Sequence, residues 1–324
     1  MSDKIYIKNF IIGTIVGMIL VTLIVWLIPE NMYFDGEYPS WRQQKDYTHS
    51  KGDKPQILFL GDSAFKAAVV PDLISEDAYN LSLGGAGSIE MYYSLKNYME
   101  NHPKPKMVFI SISAMHFIYL DRYRDRTLYF HFLSPTEQIT SQLNIFKFDN
   151  IPFMDKIFIS LENLQYMIKF PVKYFQTIKK SELSRGPLNE EIYQKAASER
   201  GHMLFGHDPE WFNHYEPHNQ LLVDFKLLKS TDFYMKKLLQ LCIDNDIPVY
   251  VVQTPINKMS YETTLKHNYF PPYQQYLQQL SQEFNVDIET DLKIYDIHLF
   301  GDHLHLNEEG AAIFSRDLKS KYKI

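Results

Sequence analysis

Cysteine is almost absent from this chain of 324 residues, since Cys242 is the only one. A single thiol excludes an intramolecular disulfide and a cysteine-based metal site, so the folded domain must be stabilised by its core. Cys242 lies in an apolar helical pattern over residues 238–243, and we interpret it as a core residue. The formal net charge of −6 at pH 7 argues against a surface that binds nucleic acid.

A histidine-based metal site is not predicted either. Several histidines lie close together in the sequence, at His202, His207, His214 and His218. Glycine and proline interrupt the same segment, at Gly201, Gly206, Pro209 and Pro217. These residues predict a loop, whereas a zincin motif places its histidines on a helix. We therefore expect no metal ion and no other cofactor.

Charged residues are absent from Ile11 to Ile28. This length is close to the roughly 20 residues that cross a bilayer as a helix. The pattern therefore predicts a transmembrane helix over residues 11–28, in which Trp26 suits an interfacial position. A cleaved signal peptide is the alternative, although no small-x-small cleavage site follows the segment.

The charges around this segment predict its orientation. Lys4 and Lys8 precede it, so the positive-inside rule places residues 1–10 in the cytoplasm. The chain is then a single-pass protein of the cell membrane. Residues 29–54 mix polar and aromatic side chains and are interpreted as a stalk, which leads into an extracytoplasmic domain over residues 55–324.

Strand and helix patterns alternate in this domain. Strands are predicted over residues 56–60, 78–83, 107–113, 248–253 and 286–288, with helices over 88–101, 231–245, 273–284 and up to 322, the last capped by Asn307. The alternation predicts an α/β fold with a central parallel sheet and right-handed crossovers.

The alternation breaks down after the third strand. Residues 117–229 are rich in Phe, Tyr, Pro and His, contain no internal repeat and are interpreted as a large insertion. Because the insertion leaves the sheet at its functional edge, it is a candidate lid or polymer groove. Its aromatic residues either stack on sugar rings or fill a second small core.

The sequence Gly61-Asp62-Ser63 follows the first strand. Ligands of open α/β sheets bind at the carboxyl ends of the strands, so this position suits a functional serine. A serine hydroxyl is a weak nucleophile, and it needs a base within hydrogen-bond reach and a group that orients the base. A glycine-aspartate turn is nevertheless common after strands of α/β proteins, so the motif alone does not define an active site.

The sequence Asp302-His303-Leu304-His305 precedes the last helix and contains a base and a carboxylate. Asp302 and His305 are three residues apart, so both side chains can project from one turn. His303 competes with His305 as the base and Asp296 competes with Asp302, but only Asp302 and His305 have the DxxH spacing. The two loops are expected to meet at one edge of the sheet.

These motifs resemble those of the SGNH or GDSL-type hydrolases, over residues 55–115 and 230–322. The resemblance implies a three-layer α/β/α sandwich, the flavodoxin-like SGNH fold. In that family the serine of the first motif is the nucleophile and a late DxxH motif supplies the other two catalytic residues. The resemblance therefore implies that Ser63, Asp302 and His305 are catalytic.

The resemblance also implies an oxyanion hole. Its donors would be the amides of Ser63 and of Gly85, with Gly84 as the alternative glycine. A third family motif normally reads GxND, but Met115 stands where its asparagine would fall and His116 where its aspartate would. Because the loss of one oxyanion donor costs about a hundredfold in rate, we expect either a substitute donor or a slow or specialised activity.

Residues 122–126 form a local basic cluster in the insertion. Together with His116, Arg122 and Arg124 are candidate substrate-binding residues, since arginine recognises anionic polymers and phosphate groups. The alternative is a solvated or ion-paired face.

The anchor and the altered third motif are similar to those of membrane-tethered SGNH-like proteins that assist the O-acylation of cell-surface polymers, of the alginate acetylation and teichoic-acid D-alanylation type. This resemblance implies a serine acyltransferase or esterase that acts on O-acyl groups, with acetyl expected, of a cell-envelope polysaccharide. It also implies a membrane-bound O-acyltransferase as partner. The alternatives are a non-catalytic accessory protein that scaffolds such an acyltransferase, and a lipid esterase.

Overall fold

A computed structural model of the chain describes residues 3–27, 35–54, 56–120, 122–169, 174, 185–206, 208–216 and 219–324. The helices are α1 (Asp3–Leu27), α2 (Tyr38–His49), α3 (Ser63–Ala68), α4 (Pro71–Ile74), α5 (Ser88–Asn101), α6 (Met115–Ile118), α7 (Pro135–Phe148), α8 (Phe153–Met167), α9 (Arg185–Ser198), α10 (Lys229–Asp244), α11 (Lys258–Thr264), α12 (Phe270–Phe284) and α13 (Glu308–Tyr322). The strands are β1 (Ile57–Gly61), β2 (Ala78–Asn80), β3 (Met107–Ser111), β4 (Val249–Val251), β5 (Ile256–Asn257), β6 (Asp287–Ile288) and β7 (Ile294–Tyr295).

The centre of the domain is a five-stranded parallel sheet in the order β2-β1-β3-β4-β6. This confirms the predicted α/β fold with a central parallel sheet. A separate parallel pair, β5 and β7, was not predicted from the sequence. Since β1 lies between β2 and β3, the loops that follow these three strands leave the sheet side by side at its carboxyl edge.

The strands carry apolar side chains on both faces of the sheet. In β1, Leu58 and Leu60 belong to a buried cluster with side chains of α5, α10 and α12. Ile57 and Phe59 belong to another cluster with side chains of α3 and α13. Cys242 is fully buried in the first cluster, which confirms its interpretation as a core residue, and burial raises the pKa of its thiol to about 12.

Many aromatic residues of the insertion form a further buried cluster, which includes Tyr129, Phe130 and Phe132. The indole of Trp41 packs edge-on against two of these rings, at centroid distances of 5.7 Å to Phe130 and 5.2 Å to Phe132. Of the two interpretations of these aromatics, the contacts favour the second small core. The insertion also contains α7, α8 and α9.

Residues 38–49, part of the predicted stalk, belong to the domain instead. They form α2, in which Tyr38, Trp41 and Gln44 are buried. The spacing of three residues places these side chains on one face of the helix, and α2 lies against α5 and α9. The helix was missed because several of its buried residues are polar, among them Ser40, Gln43 and Gln44.

Helix α1 begins at Asp3, earlier than the predicted start at Ile11, and the described part ends at Leu27. Residues 4–27 are long and apolar enough to cross a membrane, and a signal sequence near the N-terminus has the same properties. Most side chains of α1 are exposed, but Val25 is only 3% exposed and belongs to the cluster that contains Trp41. Residue 28 of the predicted span lies outside the described residues.

Candidate active site

The turn between β1 and α3 presents Ser63 at the carboxyl edge of the sheet. Asp62 caps α3, since its Oδ1 accepts hydrogen bonds from the amides of Ala64 (2.9 Å) and Phe65 (3.2 Å). Its Oδ2 accepts from the amide of Ser113, at 2.9 Å, in the loop after β3. Asp62 therefore holds the loop after β3 against the turn that carries Ser63.

Ser63, His305 and Asp302 form a continuous chain of hydrogen bonds. The Ser63 hydroxyl donates to His305 Nε2 over 2.8 Å. His305 Nδ1 donates to Asp302, at 2.8 Å from Oδ2 and 3.0 Å from Oδ1. The structure thus brings together the three residues that were predicted from the two motifs.

Asp302 is arranged to remain ionised. Its Oδ1 also accepts from the amides of Leu304 and His305, both over 2.8 Å. Burial acts to raise the pKa of Asp302, but the hydrogen bonds and the charge interaction with His305 outweigh burial, so the pKa lies below its ordinary value. A carboxylate on Nδ1 keeps the proton on that nitrogen and leaves Nε2 as an acceptor for the Ser63 hydroxyl.

The competing residues of the same loop have other contacts. The carbonyl of His303 accepts from Asn257 Nδ2 (2.7 Å) and Ser260 Oγ (3.0 Å), which fixes the loop. Asp296 Oδ1 accepts from the amide of His298, so Asp296 caps a short 3₁₀ turn. Only the pair with DxxH spacing reaches Ser63.

The glycine loop after β2 lies beside this chain. The amide of Leu83 donates to the carbonyl of Gly61 over 3.0 Å, which holds the loop against the end of β1. Gly85 has φ of +72°, a conformation that favours glycine. Within the described residues the amides of Ser63 and Gly85 donate to no backbone acceptor in a turn, loop or cap, so both remain available as donors.

Glu37 and Arg126 enclose the glycine loop from outside. Arg126 Nη1 donates to the carbonyl of Gly84 (2.7 Å) and to Glu37 Oε2 (2.6 Å), while Nη2 is 2.6 Å from Glu37 Oε1. A side chain at Gly84 would collide with the Glu37 carboxylate. Burial raises the pKa of Glu37, and the charge of Arg126 opposes this increase.

The predicted basic cluster divides between two locations. Arg122 lies over the glycine loop, since a Cβ built on Gly85 would be 3.0 Å from its Cγ. Arg124 instead forms an exposed ion pair with Glu162, which is the alternative that the sequence left open for this cluster. Arg126 was missed, although its spacing of four residues from Arg122 predicts that one helical turn presents both to the same side.

The loop after β3 contains the two residues that depart from the third family motif. His116 Nε2 is 3.6 Å from Asp62 Oδ2, so the structure places His116 against the residue that precedes Ser63. Met115 is buried and contributes to a small cavity with a volume of about 60 Å³, together with Ala64, Ser113 and Leu304. The cavity therefore borders the residues that follow Ser63 and precede His305.

Part of the insertion covers His305 and Asp302. The ring of Phe205 packs on the imidazole of His305 with 4.9 Å between centroids. Gly206 has φ of +72°, and a Cβ at this residue would be 2.5 Å from Asp302 Oδ2. These contacts support the interpretation of the insertion as a cover over the site, and Phe205 is a further residue that the sequence analysis missed.

Two of the four clustered histidines, His202 and His214, are described in the structure, and they have different partners. His202 Nδ1 is 3.1 Å from the carbonyl of Lys66, and burial lowers the pKa of His202 to about 4. His214 pairs with Asp208. His207 and His218 lie outside the described residues. Among the described residues, no group of three or more His, Cys, Asp and Glu side chains is arranged to hold a metal ion.

No protein-family profile matches this chain, and no curated protein matches it. The candidate site is therefore interpreted from its own geometry.

Proposed function

We propose that this chain is an SGNH-type serine acyltransferase or esterase that acts on the O-acyl groups, with acetyl expected, of a cell-envelope polysaccharide. The hydrogen-bond chain from Ser63 through His305 to Asp302 is the observation that supports this function most directly. Such a chain activates a hydroxyl for attack on an ester carbonyl. The strand order and the buried clusters on both faces of the sheet favour the three-layer α/β/α sandwich of the SGNH fold.

In the proposed first step, Ser63 Oγ attacks the carbonyl carbon of the acyl donor and His305 Nε2 takes the hydroxyl proton. The amides of Ser63 and Gly85 would stabilise the oxyanion of the tetrahedral intermediate. The intermediate then expels the donor alcohol, which receives the proton from His305, and the acyl group stays on Ser63. In the second step a sugar hydroxyl or water gives its proton to His305 Nε2 and attacks the acyl carbonyl carbon. The bond between that carbon and Ser63 Oγ then breaks, and Oγ receives the proton from His305.

The membrane location is part of the proposal. Trp26 Nε1 donates to the carbonyl of Ile168 over 2.8 Å, and Val25 is buried against the domain. A helix whose end contributes to the packing of the domain suits a retained anchor better than a cleaved signal sequence. With Lys4 and Lys8 on the cytoplasmic side, the domain would be extracytoplasmic.

The decisive experiment compares the full-length wild type in detergent with Ser63→Ala. We expect p-nitrophenyl acetate to release p-nitrophenol with the wild type and only at the background rate with Ser63→Ala. Intact mass measurement after brief exposure to the ester should show one added acetyl group, absent from the variant. Ser198→Ala, an exposed serine of α9, is the matched control and should resemble the wild type. Equal rates of p-nitrophenol release by Ser63→Ala and the wild type would contradict the proposed function.

A non-catalytic scaffold for a membrane-bound O-acyltransferase is the second candidate function. Met115 favours it, because a buried thioether at this position cannot donate a hydrogen bond to an oxyanion. Deletion of the chain should lower polymer acylation if the chain is an acyltransferase or a scaffold, and it should raise acylation if the chain is an esterase. Full rescue of acylation by Ser63→Ala would support the scaffold, whereas failure of this variant to rescue would support the enzyme.

A further inference from the structure

Helix α8 exposes an apolar face to its surroundings. The residues of this α8 apolar face are 39% to 59% exposed, and they are Met154, Ile157, Phe158, Leu161, Leu164 and Ile168. At about 100° per residue, they occupy an arc of about 120° along the whole helix. Phe153, at the start of α8, is 75% exposed. An exposed apolar arc of this length is typical of a surface that binds another apolar phase.

The opposite side of α8 attaches to the domain through polar groups and through the ring of Tyr166, which packs edge-on against Tyr129 with 6.4 Å between centroids. Within α8, all of which the structure describes, Asn163 is the only buried residue. Gln142 Nε2 of α7 donates to Ser160 Oγ over 2.7 Å. Glu162 pairs with Arg124. This arrangement reverses that of an ordinary surface helix, which buries its apolar side and exposes its polar side.

The C-terminal end of α8 meets the end of the anchor helix. Trp26 Nε1 of α1 donates to the carbonyl of Ile168, the residue that follows α8. Lys169 Nζ lies 5.7 Å from the centre of the Trp26 ring. Tryptophan and lysine are characteristic residues of the boundary between lipid and water. The α8 apolar face therefore begins where the span of α1 ends.

We infer that α8 lies in the surface layer of the lipid bilayer, with its apolar face among the acyl chains. Lipid is the occupant that the observations favour, because the apolar face is continuous with the end of a helix that is apolar enough to cross the membrane. Two contacts with the bilayer, through α1 and α8, would fix the height and tilt of the domain. This inference rests on α1 as a membrane anchor, and it is independent of the chemistry at Ser63.

The experiment uses the full-length chain in lipid nanodiscs with one added cysteine that carries an environment-sensitive fluorophore. The positions are Phe158→Cys and Leu161→Cys on the α8 apolar face, Ile19→Cys within α1 and Gln279→Cys on the exposed surface of α12. Cys242 is fully buried, and the labelled wild type gives its background. Each variant is measured with nitroxide-bearing lipids and with aqueous iodide.

We expect the nitroxide lipids to lower emission at residues 158 and 161 several-fold, as at residue 19, whereas iodide quenches only residue 279. If iodide quenches residues 158 and 161 as it does 279, the face is in water and the inference is wrong. Shielding of residues 158 and 161 from both quenchers would indicate that a second protein copy covers the α8 apolar face, and this result would also overturn the inference. Absence of lipid quenching at residue 19 would contradict the anchor itself, which separates the two failures.

Discussion

Arg126 Nη1 donates a 2.7 Å hydrogen bond to the carbonyl of Gly84, while the same guanidinium binds both carboxylate oxygens of Glu37. Glu37 precedes α2 and Arg126 lies in the insertion, so the contact joins two segments outside the central sheet to the glycine loop. A bidentate arginine is rigid and well suited to hold a backbone carbonyl. The position of the Gly85 amide therefore depends on groups far from it in the sequence.

Arg126→Met should impair both activity and stability. The side chains of Arg126 and Glu37 are 15% and 24% exposed, so the loss of one partner leaves a poorly solvated charge. Loss of one partner of a fully buried pair costs about 3–5 kcal/mol, and partial exposure lowers our expectation to about 1–3 kcal/mol. We also expect kcat with p-nitrophenyl acetate to fall at least about tenfold.

The double variant Glu37→Gln/Arg126→Met separates the two effects. It removes the unpaired charge, so the unfolding midpoint should recover in part. The carbonyl of Gly84 still lacks its donor, so kcat should stay low. Recovery of kcat together with stability would contradict a role of Arg126 in positioning the glycine loop.

Asp302→Asn should lower kcat by about three to four orders of magnitude, because an amide no longer holds the proton on His305 Nδ1. Asp296→Asn is the matched control, since Asp296 caps a neighbouring turn and does not contact His305. Its kcat should stay within about twofold of the wild type, because surface changes of this kind are usually small. Equal losses in both variants would indicate a general disturbance of the loop rather than a role for Asp302.

The parts of the site that follow strands could be predicted from the sequence. Ser63 comes after a short apolar run and Asp302 precedes a capped helix, and the parallel sheet brings such loops to one edge. The spacing of three residues between Asp302 and His305 also distinguished them from Asp296 and His303. These predictions used only local patterns and the topology of the sheet.

The contacts made by the remaining segments could not be predicted in this way. Phe205 contacts His305 from residues 202–206 of the insertion, which form neither helix nor strand and carry no periodic pattern. Glu37 belongs to a segment interpreted as a stalk, and its buried pairing with Arg126 depends on how α2 packs. The exposure of the apolar side of α8 is also invisible in the sequence, because an amphipathic pattern does not show which side meets the domain.

We expect Lys66 to make the stability of the domain depend on pH. It is fully buried, its Nζ donates to the carbonyls of Ser82 (3.1 Å) and Gly201 (2.6 Å), and burial lowers its pKa to about 7. Between pH 7 and the ordinary lysine value the unfolded chain binds the proton more strongly, so stability should rise with pH. For one titrating group, the free energy of unfolding can rise by at most about 1.4 kcal/mol per pH unit.

The test compares the unfolding midpoints of the full-length wild type and of Lys66→Met in detergent at pH 7, 8 and 9. The variant leaves two carbonyls without a donor, so it should be less stable at every pH. The difference between wild type and variant should grow from pH 7 to pH 9. A difference that is independent of pH would show that Lys66 has the same pKa in the folded and unfolded states.

Phe205→Ala should increase the loss of acyl groups to water. The ring covers the imidazole of His305, and its removal would admit water to the bond that the acyl group makes with Ser63. With p-nitrophenyl acetate as donor and an oligosaccharide as acceptor, we expect the ratio of transfer to hydrolysis to fall about tenfold, or about 1.4 kcal/mol in relative barrier. Phe205→Leu keeps much of the cover over His305, so its ratio of transfer to hydrolysis should lie between those of the wild type and Phe205→Ala. An unchanged ratio in both variants would contradict this role of Phe205.

The cavity beside Ser63 should restrict the acyl group to a short chain. Its volume of about 60 Å³ is less than half of the ~150 Å³ of an engineered cavity that holds one benzene molecule, so it suits a short acyl group and is too small to enclose a long acyl chain. We expect kcat/KM for p-nitrophenyl acetate to exceed that for the octanoate at least tenfold, since forcing extra methylenes into a packed space costs about 1–3 kcal/mol. Met115→Ala enlarges the cavity and should shift the preference toward butyrate, while Tyr215→Phe, outside the cavity lining, should not. A wild-type preference for octanoate would instead favour a lipid esterase.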